Sequence, residues 1–486
     1  MRHLHCCCRF ALALAAALLA GPAWADVKLP HIFGDHMVLQ QKTEAPVWGW
    51  ADADEEVTVT LGEAKATTKA GADGKWMLKL ATPAAGGPFW LNVKGKNSIT
   101  LVDVMVGEVW VASGQSNMEW AVKQSANAAE EIKNSDLPAI RMIKVGRNPT
   151  DKPRDDFAFV ENGSKLSGWA VCRPETSPEF SAVGLFFARK LNADLGVPVG
   201  IISSNWGGTI AEAWMTRETL ESDPELYGPI LERGKEFKPG NPNQPAVLYN
   251  SMIHPLLPYA IRGAIWYQGE SNVNRAEQYA RLFPAMIADW RKSWGQGDFP
   301  FLFVQLAPYA YNRDKNTGQL AELWEAQLKT LAASPNTGMA VTTDIATTDD
   351  IHPPNKQDVG LRLALWALAT TYGKTDLIYS GPLYESQAIE ENKIRIHFKH
   401  AAGGLAAHGE KPLSHFQIAG EDQQFVAATA EIDGETLVVS SPDVAKPVAV
   451  RFGWEDTAEP NLFNEAGLPA SPFRTDSFPM VTAGKK

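Results

Sequence analysis

Residues 106–119 read VGEVWVASGQSNME, and their pattern indicates the fold class of the region that follows. Its first part, around 108–112, is a short apolar run of the kind that forms a strand. A Gly-Gln-Ser turn follows at once, and the residues after the turn suit the start of a helix. A strand that passes through a tight turn into a helix is typical of α/β proteins, so the region from residue 104 onward is predicted to be α/β.

The rest of this region repeats the alternation. Helical stripes are predicted at 182–195, where Gly196 is a plausible cap, and at 279–290, 320–331 and 356–372. Strand-like runs lie between or beside them, at 199–204, 261–267, 301–306 and 339–343. Strands that alternate with helices imply a mainly parallel sheet, whose functional residues follow the carboxyl ends of the strands.

The two flanks of the α/β region have a different pattern. Short alternating runs separated by turn residues occur at 45–50, 56–61, 75–80 and 89–93, and again at 393–398, 416–418, 436–439 and 448–452. We therefore predict an N-terminal β-sandwich-like module (26–103), an α/β domain (104–374) and a C-terminal β module (375–486). Residues 126–136 and 237–244 are predicted to be exposed loops or insertions, and the residues after Pro479 a frayed tail.

Residues 1–25 combine two arginines, the apolar run 10–20 and a small-residue end at Gly21 to Ala25, which is the composition of an export signal. A membrane anchor is the competing interpretation, but the run is shorter than the ~20 residues that a bilayer span needs. The protein is thus expected in the periplasm or outside the cell. Cleavage would leave Cys172 as the single cysteine, which we interpret as a buried hydrophobe rather than a nucleophile.

The composition limits the partners. A chain of 486 residues with 45% apolar and 21% charged residues is an ordinary globular protein, and its net charge of −11 comes without a dense basic cluster. Nucleic acid is therefore an unsuitable partner, because a phosphate backbone requires a basic stripe. No clustered His/Cys ligand set is visible, so neither a metal nor another cofactor is expected.

Four turns at the ends of predicted strands carry reactive side chains. The first, 113–118, exposes Ser116, and a serine hydroxyl becomes a nucleophile when a base takes its proton. The second contains Gly207 and Gly208, whose lack of a Cβ lets a backbone N–H approach a developing oxyanion together with the N–H of Ser116. Taken alone, each of these two turns is better explained as a purely structural feature.

The other two turns supply an amide and a possible base. In the third turn, Gln268 is a candidate oxyanion donor, while Glu270 either supports the site or only ties the loop together. The fourth turn holds His352, which accepts and returns protons near neutral pH. Asp349 and Asp350 precede it, and either carboxylate is able to orient the imidazole.

Taken together these turns resemble the SGNH hydrolases, and among them the sialate O-acetylesterase-like carbohydrate esterases. The resemblance covers roughly residues 30 to 375 and extends to other segments, at 38–40, 47–50, 106–110, 114–119, 249–253 and 350–353, the last together with Lys356 and Gly360. It implies a flavodoxin-like hydrolase domain without a cofactor. It also implies that Ser116 is the nucleophile, His352 the base and Asp349 the acid, with Asp350 as a rival and a Ser-His dyad as a further alternative. Gly207 or Gly208 and Gln268 would complete the oxyanion hole.

The resemblance implies an O-acetylated sugar as substrate, first of all 9-O-acetylated sialic acid, with acetylated xylan or another hemicellulose as the alternative. Trp120, Trp214 and Glu270 are candidates for contact with the sugar, although core packing explains the tryptophans equally well. A noncatalytic carbohydrate-binding protein is the alternative of another class. The complete Ser, His and Asp set argues against it.

Overall fold

The computed structural model describes residues 26–160, 164–311, 317–345, 348–409 and 411–486. The predicted export signal, 1–25, lies outside the described residues. Within the described ranges, no helix has both the length and the apolar character that crossing a bilayer requires.

The N-terminal part of the chain is built from antiparallel strands and has one inward face. The strands are β1 (Val38–Gln40), β2 (Glu44–Trp50), β3 (Glu56–Leu61), β4 (Ala64–Lys69), β5 (Lys75–Ala81), β6 (Gly86–Lys94) and β7 (Ser98–Gly114). Along β5, for example, buried and exposed residues alternate strictly, so that Trp76, Leu78 and Leu80 face the core. Strands β4, β3, β6 and β7 form one sheet, β1 pairs in parallel with β7, and β2 and β5 form a separate ribbon.

Strand β7 belongs to two parts of the molecule. Its residues 98–106 pair with β6, and its residues 108–114 form the middle of the next sheet. Gly107 lies between the two halves, where an added Cβ would approach the carbonyl oxygen of Pro198 to 2.1 Å. The domain boundary predicted after residue 103 therefore falls inside a continuous strand rather than in a linker.

The central sheet has the order β13-β12-β11-β7-β10-β8-β9 and is parallel except for β9. This confirms the prediction of a mixed α/β fold with a mostly parallel sheet. Its remaining strands are β8 (Leu137–Lys144), β9 (Ala170–Cys172), β10 (Val199–Asn205), β11 (Gly263–Tyr267), β12 (Phe301–Val304) and β13 (Thr337–Ala340).

The helices of this region pack in two pairs, α3 with α8 and α6 with α7. Helix α3 has the predicted bounds and ends at Gly196, whose left-handed φ of 65° caps it. The helices are α1 (Ser116–Glu119), α2 (Ala128–Lys133), α3 (Ala182–Leu195), α4 (Arg217–Glu221), α5 (Pro224–Arg233), α6 (Ala276–Trp294), α7 (Gln319–Ala333) and α8 (Lys356–Trp366).

The C-terminal part consists of antiparallel sheets around a hydrophobic cluster of its own. It contacts the central region through the carboxylate of Asp456. This carboxylate accepts a hydrogen bond from the N–H of Thr317, which precedes α7, and another from the N–H of Leu320 in the first turn of α7. Its strands are β14 (Leu383–Glu390), β15 (Lys393–Lys399), β16 (Leu405–Ala407), β17 (Phe416–Ala419), β18 (Val426–Ala427), β19 (Thr429–Asp433), β20 (Thr436–Ser440), β21 (Ala449–Phe452), β22 (Leu462–Asn464) and β23 (Phe473–Arg474).

One local prediction is incomplete and another is wrong. The segment 126–136 is not a plain loop but contains α2, whose six residues are all at least partly exposed and give no apolar stripe. The residues after Pro479 are not a frayed end. Thr482 is fully buried, and the Glu322 carboxylate accepts hydrogen bonds from its N–H and hydroxyl groups.

Candidate active site

The nucleophile turn lies at the carboxyl end of β7. The N–H of Gln115 donates to the carbonyl of Tyr267 at the end of β11, 2.9 Å away, and the Gln115 carbonyl accepts from the N–H groups of Met118 and Glu119. These bonds place Ser116 at the first position of α1. The N–H of Ser116 therefore has no carbonyl four residues earlier in the helix to accept it, and it remains available to another oxygen.

Ser116 and His352 are in direct contact. The Oγ of Ser116 lies 2.8 Å from the Nε2 of His352, although 236 positions separate the two residues in the chain. Burial lowers the pKa of His352, and the positive charge of Lys356 lowers it further. The imidazole is thus uncharged at neutral pH and suited to accept the serine proton.

The two aspartates before His352 differ in position. Asp350 accepts a hydrogen bond from the backbone N–H of His352 at 2.8 Å, and its carboxylate lies 3.9 Å from the ring Nδ1. That second distance is too long for a hydrogen bond. Among the described residues, Asp350 alone has a carboxylate oxygen within 4.0 Å of an imidazole nitrogen of His352. Asp349 is exposed and has no such contact. The resemblance implies Asp349 as the acid, but the geometry favours Asp350.

Gly207 packs directly on the nucleophile. A Cβ added to Gly207 would lie 3.1 Å from the Cβ of Ser116, so the second turn meets the first as predicted. The Gly207 N–H donates to the Glu119 carboxylate at 3.0 Å, and Glu119 also forms an ion pair with Arg147. Gly208 is exposed at a φ of 73°, with open space where a side chain would begin.

Gln268 does not reach the reaction site. It is completely buried, and its Nε2 donates to the carbonyl of Thr209 at 3.1 Å and to the Oδ1 of Asn272 at 2.8 Å. Its Oε1 accepts from the Tyr279 hydroxyl at 2.9 Å. Since both amide hydrogens are engaged inside the protein, the assignment of Gln268 as an oxyanion donor is corrected: it holds the third turn in place.

The two candidate tryptophans also separate. Trp214 is fully buried, its Nε1 donates to the Oγ1 of Thr209, and its ring packs edge-on against Trp266. It belongs to the core and is not available to a sugar, which corrects its assignment to substrate binding. Trp120 is half-buried and stacks on the His352 ring, so it remains at the site.

Glu270 lies behind the nucleophile turn rather than in the cleft. Its Oε1 accepts from the Asn117 Nδ2 at 2.6 Å, while its Oε2 is buried without a hydrogen-bond partner in the described part of the chain. Burial raises the pKa of this carboxyl. Its carboxylate is buried against Asn117, and this position favours the supporting role over the predicted contact with the sugar.

A cleft of about 420 Å³ opens over the serine and histidine. Polar and charged side chains make up most of its wall, and burial lowers the pKa of one of them, Lys144. The residues that line it are Ser116, Glu119, Trp120, Ala121, Lys123, Gln124, Lys144, Glu179 and His352. A cleft of this size and polarity fits a small hydroxylated ligand such as a sugar.

Several residues of this site were not predicted from the sequence. Asn117 and Lys356 stand inside motifs that did contribute to the resemblance, but nothing in the sequence shows that the lysine is buried. Glu119 follows the nucleophile by three residues, which in a helix places it on the same side, and this spacing is the one signal that was available. Lys144 ends β8, a strand that the sequence analysis did not identify.

Two other expectations concern Cys172 and metal ligands. Cys172 is buried, and burial raises the pKa of its thiol to about 12, so it is a structural residue as predicted. Within the described ranges, no group of three or more His, Cys, Asp or Glu side chains is arranged to hold a metal ion.

A serine hydroxyl in contact with a histidine, at the carboxyl edge of a mainly parallel sheet, defines a serine-hydrolase type of site on an α/β fold. Comparison with known proteins agrees with this class. The sequence profile of the family described as "Carbohydrate esterase, sialic acid-specific acetylesterase" matches residues 106–368.

Curated relatives extend the match over most of the chain. The chain is 33% identical to a human sialate O-acetylesterase over 93% of its own length and 94% of that protein's length, and 32% identical to the rat sialate O-acetylesterase over 76% and 78%. A carbohydrate acetylesterase from Xanthomonas citri has a similar crystal structure, with a TM-score of 0.85, 40% identity and coverage of 93% of this chain and 100% of that one. The chain belongs to the sialic acid-specific acetylesterase family of carbohydrate esterases, and it is an esterase.

Proposed function

We propose that the protein removes O-acetyl groups from sugars through an acetyl-enzyme intermediate on Ser116. The observation that carries this proposal is the 2.8 Å contact between the Ser116 Oγ and the His352 Nε2 at the floor of an open, polar cleft. The family and the acetylesterases named above support the acetyl group as the one transferred.

In the first half of the reaction, the Nε2 of His352 takes the hydroxyl proton of Ser116 while the Oγ attacks the acetyl carbonyl carbon. The tetrahedral intermediate then breaks its bond to the sugar oxygen, and His352 returns the proton to that oxygen. The sugar leaves with a free hydroxyl, and the acetyl group stays on Ser116. In the second half, His352 takes a proton from water, the water oxygen attacks the acetyl carbon, and acetate is released as Ser116 regains its proton.

The developing oxyanion needs N–H donors near Ser116. We assign this role to the N–H groups of Ser116 and Gly208, since the N–H of Gly207 is occupied by the Glu119 carboxylate. The Gly207 N–H becomes a third oxyanion donor only if the Glu119 carboxylate releases it. Asp350 supplies the negative charge that favours a protonated His352 during the reaction.

For the substrate we propose 9-O-acetylated sialic acid, because the matching family is described as sialic acid-specific and the curated relatives are named sialate O-acetylesterases. Acetate release from 9-O-acetylated sialic acid and from acetylated xylo-oligosaccharides, compared under identical conditions, tests this choice. A higher kcat/KM on the xylo-oligosaccharides would replace the substrate and leave the mechanism intact. We also propose export to the periplasm or beyond, which the composition of residues 1–25 supports.

The Ser116→Ala variant tests the mechanism itself. Acetate release should fall by about 10³-fold or more, while the thermal unfolding temperature stays near that of the wild type, because the removed hydroxyl is partly exposed in the cleft. Ser222→Ala, at an exposed position after α4, is the matched control and should keep full activity. Turnover retained in Ser116→Ala, or sugar binding without any acetate release by the wild type, would refute the proposal.

A further inference from the structure

The side chain of Asn117 connects four segments around the nucleophile. It follows Ser116 in the chain, and its Nδ2 donates to the Glu270 carboxylate at 2.6 Å and to the carbonyl of Ile351 at 2.9 Å. Its Oδ1 accepts from the Nζ of Lys356 at 2.5 Å. Ile351 immediately precedes His352, so one amide ties the nucleophile turn to the loop that carries the base.

Lys356 is an unusual partner for this amide. It is completely buried, and it occupies the first position of α8, where the positive end of the helix dipole disfavours a cation. Burial lowers the pKa of its amino group to about 7. A buried lysine at a helix start costs stability unless nearby groups compensate, so its presence calls for a specific contribution to the site.

The surroundings of Lys356 favour the ammonium form below neutral pH. Glu270 and Asp350 attract the positive charge, and the faces of the Trp120 and Tyr267 rings lie 5.8 Å and 5.4 Å from the Nζ. The same charge repels a proton on His352, which is the neighbouring titratable group at the reaction site. Ser116, Asn117 and Lys356 thus form a connected path from the nucleophile to a buried charge.

We propose that Lys356 is a positioning residue for this esterase: its buried ammonium holds the nucleophile turn and the histidine loop together through Asn117, and its charge acts on the base His352. The inference rests on the proposed roles of Ser116 and His352 and adds a third group to them. Lys356 does not touch the substrate, because the Asn117 side chain and the ring of Trp120 lie around its amino group.

The sign of the pH effect follows from the charges that face Lys356. Below about pH 7 the amino group carries its proton, so its charge is present where His352 titrates. Loss of this charge raises the pKa of His352, and a larger fraction of the base is then protonated and inactive at a given acidic pH. The acid limb of the kcat/KM profile should therefore move to higher pH when Lys356 is neutralised.

The test compares Lys356→Met with the wild type, using p-nitrophenyl acetate as a small substrate. Methionine keeps an unbranched side chain and removes the charge. We expect kcat to fall by about tenfold or more with little change in KM, and the acid limb to shift to higher pH. An acid limb at the wild-type pH in folded Lys356→Met would overturn the inference, because a merely structural lysine would change activity without moving the titration of the base.

Glu270→Gln provides the second variant and decides the question if Lys356→Met does not fold. It keeps the shape and the hydrogen bond to Asn117 but removes a charge that stabilises the ammonium, so Lys356 loses its proton at lower pH and the acid limb should again move upward. An unmoved limb in this variant overturns the inference. Ser116→Ala separates the two proposals: if it is inactive while both other variants keep the wild-type limb, the acetyl-enzyme mechanism stands and the role of Lys356 fails.

Discussion

The indole ring of Trp120 lies nearly parallel to the imidazole ring of His352, with ring centroids 4.8 Å apart and an angle of 16° between the planes. The Nε1 of Trp120 donates to the carbonyl of Gln124 at 2.9 Å, which fixes the indole from the other end. The ring therefore limits the rotation of the imidazole and keeps its Nε2 directed at Ser116. The sugar-binding role predicted for Trp120 and this role in holding the base are compatible, because the ring also lines the cleft.

Removal of this ring should reduce catalysis more than binding of a small ester. We expect Trp120→Ala to lower kcat for p-nitrophenyl acetate by about 10- to 100-fold, because the imidazole gains freedom to leave its reactive position. Trp120→Phe keeps a ring face and should recover part of the rate. Trp90→Ala removes an indole that is 67% exposed on β6 and serves as the control, with wild-type rates. A wild-type kcat in Trp120→Ala would show that the stacking does not hold the base.

The wild-type pH profile provides a second prediction. Burial lowers the pKa of His352 from its ordinary value of 6.5, and the charge of Lys356 acts in the same direction, whereas Asp350 and Glu119 oppose it. His352 works as a base only when unprotonated, so activity is lost as the pH falls through its pKa. The acid limb of kcat/KM should accordingly have its midpoint below pH 6.5. A midpoint above this value would mean that the carboxylates outweigh burial in the working enzyme.

The unequal positions of Asp349 and Asp350 predict unequal effects of amide substitution. Asp350→Asn removes a charge 3.9 Å from the His352 Nδ1 but keeps an acceptor for the backbone N–H, so we expect kcat/KM to fall by about tenfold or less and the acid limb to move to lower pH. Asp349→Asn is the matched control and should stay within about twofold of the wild type. A larger loss in Asp349→Asn than in Asp350→Asn would restore the assignment that the resemblance implies.

The sequence was sufficient where local pattern and burial agree. Helix α3 begins and ends at the predicted residues because its apolar stripe faces α8 and a glycine ends it, and β3 likewise has the predicted bounds. Helix α2 was missed because none of its residues is buried, so no periodicity marks it. The last strand of the sheet was predicted at 339–343, but it spans Thr337–Ala340. The predicted strand begins and ends too late, because a short apolar run does not define its own register.

In the candidate site, too, the sequence identified residues with an informative motif and missed what tertiary contacts decide. Ser116 and His352 were identifiable because their turns occur together with two others of complementary chemistry at the ends of predicted strands, and the contact between the two side chains is present. Gln268 has the right donor group, but its hydrogen-bond partners come from residues 209 and 272, and a motif does not show that a donor is already occupied. The buried position of Lys356 was equally invisible, because lysine is ordinarily exposed and only tertiary packing buries it.

The last prediction concerns the C-terminal tail, which the structure joins to two helices. The Thr482 hydroxyl donates to the Glu322 carboxylate in α7 at 2.6 Å and accepts from the Glu277 N–H in the first turn of α6 at 3.1 Å. Thr482→Val keeps the shape of the side chain but leaves the buried carboxylate and this N–H each short of one partner, so stability should fall by about 1–3 kcal/mol. Thermal unfolding measures the effect, and Val481→Ala, which keeps its own N–H bond to Glu322, is the control with little change. Equal unfolding temperatures for Thr482→Val and the wild type would show that the tail is held by other contacts.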